Sequence, residues 1–455
     1  MAGPMATSSA GLPAPGVQGP QGVGAGLVRR ARAAAATTPG RMRVISLGVL
    51  ACVALAWALG FFAVSHRQQG IRTVATDVQP VVVESRSIAS LLSGADASAA
   101  NSFLAGGVEP ADQLARYLAD TTQAQDELAK AAAGGGASAS AREAVRTIAE
   151  STTTYAGFVE SARANNRQGF PVGAGYLRRA TALLNTTILP AADRLHQDSV
   201  ARLNAGYAAA GGRAATVGVV VAAVVLFVAL VAAQVFLRRR TNRVFNVGLV
   251  AATAVSVLLI GWTLFSLVTE GNQVAAARDR TDALNILAQA RVTAFGAKSD
   301  ESFALIARGN GASKYDALRS AVKDLGGPNF NGGFLGEAVR RAAPGEERSS
   351  MNSALSAFKS FLAAHVTIEQ LDTNGQSQQA IAAALAAGPG TANGAFDTFD
   401  QAIQRVSVLT QQEFDAHIRS ARGHVTGLAI GISLAFLLVA VLVLYGFQQR
   451  IGEYR

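Results

Sequence analysis

Residues 214–268 read AATVGVVVAAVVLFVALVAAQVFL, then RRRTNRV, then FNVGLVAATAVSVLLIGWTLFSLV. Two apolar runs of 24 residues, Ala214–Leu237 and Phe245–Val268, flank a loop of seven residues that holds four arginines and no acid. About 20 apolar residues cross the hydrocarbon core as a helix, so the stretch reads as two membrane spans joined by a tight basic turn. Two further runs lie outward from it, Val44–Ser65 with 22 residues and His424–Phe447 with 24. None of the four contains Asp, Glu, Lys or Arg. Half of the 455 residues are hydrophobic and only 15% are charged, a composition that points to a membrane protein. The first run exceeds the apolar stretch of a cleaved signal peptide, so it is expected to remain as a span.

The formal net charge is +10, which invites a nucleic-acid partner until its position is mapped. The tail 1–43 carries five arginines and no acid, the loop 238–244 carries Arg238, Arg239, Arg240 and Arg243, and the tail 448–455 carries Arg450 and Arg455 against Glu453. The two long segments are close to neutral: 66–213 has 14 basic and 13 acidic residues, and 269–423 has 15 and 16. The whole excess therefore lies on three segments that share one side of a four-span topology. Basic residues mark the cytoplasmic side. The expected layout is a multi-pass plasma-membrane protein with both termini cytoplasmic and two large domains outside. No nucleic-acid contact is expected.

The tail 1–43 holds five of the twelve prolines and cannot bury a core. Beyond it the chain reads as a repeat of span, outer domain of roughly 150 residues, and span. Local echoes support an old duplication: Gly94-Ala95 precedes Asn101-Ser102-Phe103-Leu104, and Gly296-Ala297 precedes Glu301-Ser302-Phe303-Ala304-Leu305. Apolar residues recur at helical spacing in both outer domains. Leu114, Leu118, Thr121, Gln125 and Leu128 form one stripe; Val145, Ile148, Tyr155, Val159 and Ala162 another; Leu177, Ala180, Leu184, Ile188, Ala191, Leu195 and Leu203 a third. Met351, Leu355, Phe358, Leu362, His365 and Ile368 do the same in the second domain. Ser140-x-x-Glu143 and Ser313-x-x-Asp316 have the form of capping boxes, and Pro110 suits a helix start. The expected fold is all-α: four transmembrane helices and two extracytoplasmic domains resembling four-helix bundles. The end helices of each domain should run directly into the spans, so that a small movement outside can be carried inward.

Catalytic and metal-binding sets are missing. One cysteine, Cys52, excludes an internal disulfide and a cysteine zinc cage. The histidines are scattered, and His365 falls on an apolar stripe as a core histidine would. Asp126-Glu127, Asp300-Glu301 and Glu346-Glu347 are adjacent pairs whose members point to different faces of a helix, with solvated surface as the default. Arg178-Arg179 could grip a carboxylate, although a solvated helix face is the plainer reading. No enzyme activity, cofactor or metal is expected. The charge-free spans also argue against a transporter. The cytoplasmic segments total 58 residues, too few for a kinase or cyclase. Any output must leave through a separate cytosolic protein docked on Arg238, Arg239, Arg240, Arg243, Arg450 and Arg455, which also suit anionic lipid heads. Small residues over Ala214–Ala233 and Gly248–Ala254 permit close helix packing. Whether that packing extends to a homo-oligomer stays open.

The layout resembles the tetraspanning GlnX membrane proteins of actinobacteria. The matching features are the Pro/Ala-rich basic tail, the paired spans around a short Arg-rich loop, two helical outer domains, and the ending Gly446-Phe447-Gln448-Gln449-Arg450-Ile451-Gly452-Glu453-Tyr454-Arg455. The resemblance implies amino-acid sensing. A GlnH-like lipoprotein that binds aspartate or glutamate outside would signal through the chain to a PknG-like soluble Ser/Thr kinase. That kinase controls 2-oxoglutarate dehydrogenase through a small forkhead-associated regulator. The resemblance assigns no individual binding residue. Separately, the outer domains resemble the four-helix sensor modules of chemoreceptors. The rival reading is a structural or assembly scaffold of the cell envelope.

Overall fold

The computed structural model describes residues 38–134, 138–210, 213–241, 246–327 and 329–452. Among these no strand occurs, and the fold is all-α. The helices are α1 (Thr38–Thr73), α2 (Gln79–Ala105), α3 (Ala111–Ala133), α4 (Ala139–Arg167), α5 (Val172–Leu183), α6 (Leu189–Ala210), α7 (Arg213–Thr241), α8 (Val247–Ile306), α9 (Ala312–Leu325), α10 (Gly333–Arg341), α11 (Glu346–Thr373), α12 (Ser377–Leu385) and α13 (Ala392–Gly452). Single π-turns, Val74–Val78 and Leu184–Ile188, join α1 to α2 and α5 to α6. Among the described residues, four helical stretches are long and apolar enough to cross a membrane.

The chain divides into two compact units. The apolar unit runs up to Phe61, over Val217–Trp262 and from Gly431 onward. Its core packs Met42, Val49, Leu226, Leu230, Leu249 and Val443. Leu47, Leu55, Val221, Leu258 and Leu437 point outward, a belt of large apolar side chains suited to lipid. Small residues set one helix crossing. A Cβ on Gly248 of α8 would stand 2.8 Å from the Cα and N of Gly446 on α13 and from the Leu442 carbonyl oxygen. Asn246 seals the same crossing, donating through Nδ2 to the Gly446 carbonyl at 2.8 Å. The obstacle to a side chain here is backbone, which cannot step aside. Gly248→Val is expected to cost about 1–3 kcal/mol. Both tryptophans of the chain, Trp57 and Trp262, lie in this unit, so a fluorescence melt reads it; an unchanged melt would refute the close crossing.

The large unit combines Phe62–Thr216 with Thr263–Ile430. Its first half is four helical rods, as expected: the end of α1 with α2, then α3, α4, and α5 with α6. Among the described residues the second half has six helices, more than the four of the expected bundle, with breaks at glycines. Gly326, at φ +138°, ends α9, and Gly388, at φ +100°, lies between α12 and α13. Each half has its own apolar core. The first gathers Ile88, Leu92, Tyr155, Leu177 and Ile188. The second gathers Leu335, Phe358, Phe361, Phe396 and Phe399. The halves exchange residues, with Phe303 of α8 in the first core and Ala97 of α2 in the second.

Helix α2 explains that exchange. Every residue from Ile88 to Ser102 is buried. The sequence there is almost all Ala, Ser, Gly and Leu, so neighbouring helices approach from every side. Two of its serines satisfy themselves on their own helix: Ser93 donates to the Ala89 carbonyl at 2.8 Å and Ser90 to the Ser87 carbonyl at 3.0 Å.

Three local expectations are corrected. Helix α4 is capped by Ser138, whose hydroxyl accepts from the Ala141 N–H at 3.0 Å, while Ser140 bonds Asp198 instead. Helix α9 starts after Gly311 with no side-chain cap, and Asp316 pairs with Arg319. The buried face of α3 is Gln113, Tyr117, Ala124 and Ala131, with Leu118 exposed. The Tyr117 ring joins the core of the first half, and the Arg163 guanidinium covers it at 4.1 Å.

Candidate functional site

The two halves of the large unit meet along a polar seam. At its centre lies Asp96, midway along α2 and 2% exposed. Its carboxylate accepts from Thr181 Oγ1 at 2.6 Å and, weakly, from Tyr155 OH at 3.4 Å, both in the first half. It also accepts from Ser299 Oγ at 2.8 Å, on α8 of the second half. Burial pushes its carboxyl up to about 6, against the pull of these donors and of the Lys314 charge. The two echo segments of the sequence, on α2 and α8, thus face each other across this bond.

Charged side chains line the seam on either side. Arg116 on α3 forms a two-pronged pair with Asp397 on α13. Arg291 on α8 clamps Asp400 on α13 at 2.5 and 3.2 Å and donates to Ser90 of α2 at 3.2 Å. Arg86 on α2 donates through Nε to Asn285 of α8 at 2.8 Å and pairs with Asp193 at 3.2 Å. Arg67 and Glu270, each two residues past an expected span end, form a buried pair at 2.5 Å between α1 and α8. Every one of these contacts involves a helix that also contributes a membrane-span candidate or continues from one across a π-turn.

Two cavities open in the seam. The larger, ≈ 400 Å³, is bordered by Arg86, Asp120, Gln123, His196, Asn285 and Arg291. The smaller, ≈ 280 Å³, includes Asn101, Arg116, Lys298 and Asp397 in its wall. Asp120 and Gln404 line both. Burial pushes the Asp120 carboxyl up to about 6, with Arg291 opposing and Asp400 reinforcing the shift. Burial, helped by the Arg86 charge, lowers His196 to about 4, so its ring is neutral at pH 7. No cluster of His, Cys, Asp and Glu suited to a metal occurs among the described residues.

The structure also places the residues singled out by sequence. Arg238 and Arg239 are exposed at the end of α7, and Arg178 and Arg179 are exposed on α5, away from both cavities. Arg240 and Arg450 lie within α7 and α13. Arg243 and Arg455 lie outside the described residues. Two adjacent carboxylate pairs depart from the solvated default. Glu301 is wholly buried, held by Lys298 at 2.6 Å and by His365 Nδ1 at 2.7 Å. Glu347 is 4% exposed and accepts from Thr410 at 2.9 Å. Their neighbours pair elsewhere, Asp300 with Lys314 at 2.8 Å and Glu346 with Arg405. His365 is a core histidine, as its stripe suggested. Sequence reading missed Asp96. It is the single charge between Arg86 and Glu109, and an isolated acid in a run of small residues was the available signal.

Comparison with known proteins bears on the first half. Residues 70–208 match the family model of the actinobacterial sensor domain. No curated protein and no solved structure matches the chain. The matched stretch runs from the end of α1 to α6 and carries Arg86, Asp96, Arg116, Asp120 and His196 of the seam. It supports an actinobacterial sensor protein with a sensing or signalling role. The GlnX resemblance is finer than this match.

Proposed function

We propose that the chain is a transmembrane signal transducer that relays extracytoplasmic aspartate or glutamate status to a cytosolic Ser/Thr kinase of the PknG type. The input is a solute-binding lipoprotein of the GlnH type docked on the large unit. The output face is the arginine set Arg238, Arg239, Arg240, Arg243, Arg450 and Arg455, which also contacts anionic lipid. In this reading both termini are cytoplasmic and the two long segments are outside. One observation carries it. Helices α8 and α13 are continuous over 60 and 61 residues, and each contributes to both the apolar unit and the large unit. A helix shared in this way offers a change in sensor packing a path to its span without a separate linker.

The test is co-purification of the full chain from solubilised membranes, with and without aspartate or glutamate supplied to the cells. Both a periplasmic-type binding protein and a kinase should be recovered, and the kinase yield should change with the amino acid. Recovery of neither in any condition refutes the relay. Changing the six arginines to glutamine, with the five of the tail 1–43 kept to hold orientation, should cut kinase recovery at least about tenfold. Capture of the binding protein should be unaffected. Full kinase recovery by that variant would place the output elsewhere.

A further inference from the structure

We infer that the ≈ 400 Å³ seam cavity is itself a binding site for a small zwitterion, of α-amino-acid to dipeptide size, with its ammonium on Asp120 and its carboxylate on Arg86 and Arg291. This deepens the sensing reading and rests on it for its biological meaning, though the binding can be tested alone.

The argument starts from unmatched hydrogen-bonding capacity. Asp120 sits in the cavity wall with its carboxylate against Gly94 of α2, where even a Cβ would come within 2.7 Å of Oδ2. It accepts no hydrogen bond from the described residues; its charged neighbours Arg291, Arg116 and Asp400 act on it only through space. A carboxylate offers about four acceptor sites, so this wall lacks donors. The opposite imbalance holds at the two arginines. Each guanidinium has five N–H donors. Arg86 turns one group to Asn285 and another to Asp193, and Arg291 serves Asp400 and Ser90. Both still border the cavity.

A molecule that completes both imbalances must donate at one end and accept at the other. A simple anion would leave Asp120 unmatched, and a simple cation would meet two guanidiniums. The remaining wall suits such a guest: neutral His196, the amides of Gln123 and Asn285, and the apolar Leu91, Leu284 and Leu287. Pockets of this volume that combine apolar wall with placed polar groups are the usual form of small-molecule sites. The site lies between α2 of one half and α8 and α13 of the other. Occupancy would therefore fix the spacing of helices that carry or adjoin the spans.

The experiment is titration calorimetry on the full chain in lipid nanodiscs. The panel comprises L-aspartate, L-glutamate, L-glutamine, L-alanine, L-lysine and Ala-Ala, with succinate and putrescine as controls that carry charge of one sign only. At least one zwitterion should bind, and both controls should bind at least about tenfold more weakly. Asp120→Asn should weaken the zwitterion at least about tenfold and leave its melting temperature unchanged or higher, because the substitution removes an unmatched, partly buried charge. Arg86→Gln should weaken it independently. The inference is overturned if no zwitterion binds the wild type, if Asp120→Asn binds as well as wild type, or if succinate binds equally and ignores that substitution. Capture of a binding protein and a kinase is a separate measurement. A chain that binds no zwitterion can still relay, and one that binds can still lack those partners, so the two failures are distinguishable.

Discussion

Glu301→Gln is expected to destabilise the large unit by about 3–5 kcal/mol at pH 7.5, the cost of removing one partner from a buried charge pair. The carboxylate is fully enclosed, and the ammonium of Lys298 is 4% exposed beside it. Burial alone would raise its carboxyl, but Lys298 and His365 overcome that and hold it at about 2. The Lys298 charge also stands 5.4 Å from the Phe361 ring, in a cluster of tilted and edge-on phenylalanines, and among the described residues no other carboxylate is in hydrogen-bond reach of it. An amide at position 301 keeps the shape but leaves that ammonium uncompensated. The melt followed by circular dichroism should fall by roughly 5–15 °C. A shift under 2 °C would show that the pair is solvated and the account is wrong. Lys298→Met combined with Glu301→Gln should recover most of the loss, since it removes both charges. The pH dependence has a definite sign. A carboxyl depressed from 4.5 to about 2 contributes stability that is complete above pH 4.5 and is lost as pH falls toward 2.

How much of this was legible beforehand depends on the kind of residue. The spans announced themselves because lipid demands long uncharged runs, and the third helical stripe, from Leu177 to Leu203, is buried throughout. Stripes made of bulky side chains are reliable because burying them is the main driving force. Helix α2 was legible only as a helix. Its burial on all sides comes from smallness rather than hydrophobicity, and Ala, Ser and Gly give no periodic signal. The face of α3 was misplaced for the same reason, since Tyr117 turns toward a neighbour whose surface a single helix does not reveal. The echo of Gly94-Ala95 in Gly296-Ala297 was visible, yet nothing in one sequence says that the two copies meet. The seam charges stayed hidden because their partners lie about 100 to 300 positions away, as Arg116 and Asp397 do. Asp300-Glu301 shows the limit most plainly. Adjacent positions were correctly assigned to different faces, but which face is core is decided by helices far along the chain.

Asp96 gives the second large effect, and its sign is opposite to that of Glu301. Its carboxyl is raised from 3.8 to about 6. The folded state therefore holds its proton more tightly than the unfolded chain, and the contribution to stability is fully present below pH 3.8. It is lost as pH rises to about 6, and the ionised group then costs about 3 kcal/mol. Asp96 and Asp120, both raised to about 6, favour pH 5 over pH 7.5, while His196, lowered to about 4 in the same seam, opposes them, so the Asp96 share is read from the difference between wild type and Asp96→Asn. Asp96→Asn removes the charge and retains one acceptor for the hydroxyls of Thr181 and Tyr155, while Ser299 can turn to accept from the new amide. Its melting temperature at pH 7.5 should equal or exceed that of wild type, with a flatter slope between pH 5 and 7.5. Asp96→Leu removes the acceptor and strands three buried hydroxyls, at about 1–3 kcal/mol each. Because Ser299 belongs to the other half, the loss should appear as weakened association along α2 and α8. Faster hydrogen exchange on α8 near Ser299, with α11 still protected, is the expected pattern. Equal stability of the Asn and Leu variants at pH 7.5 would mean that Asp96 does not join the halves.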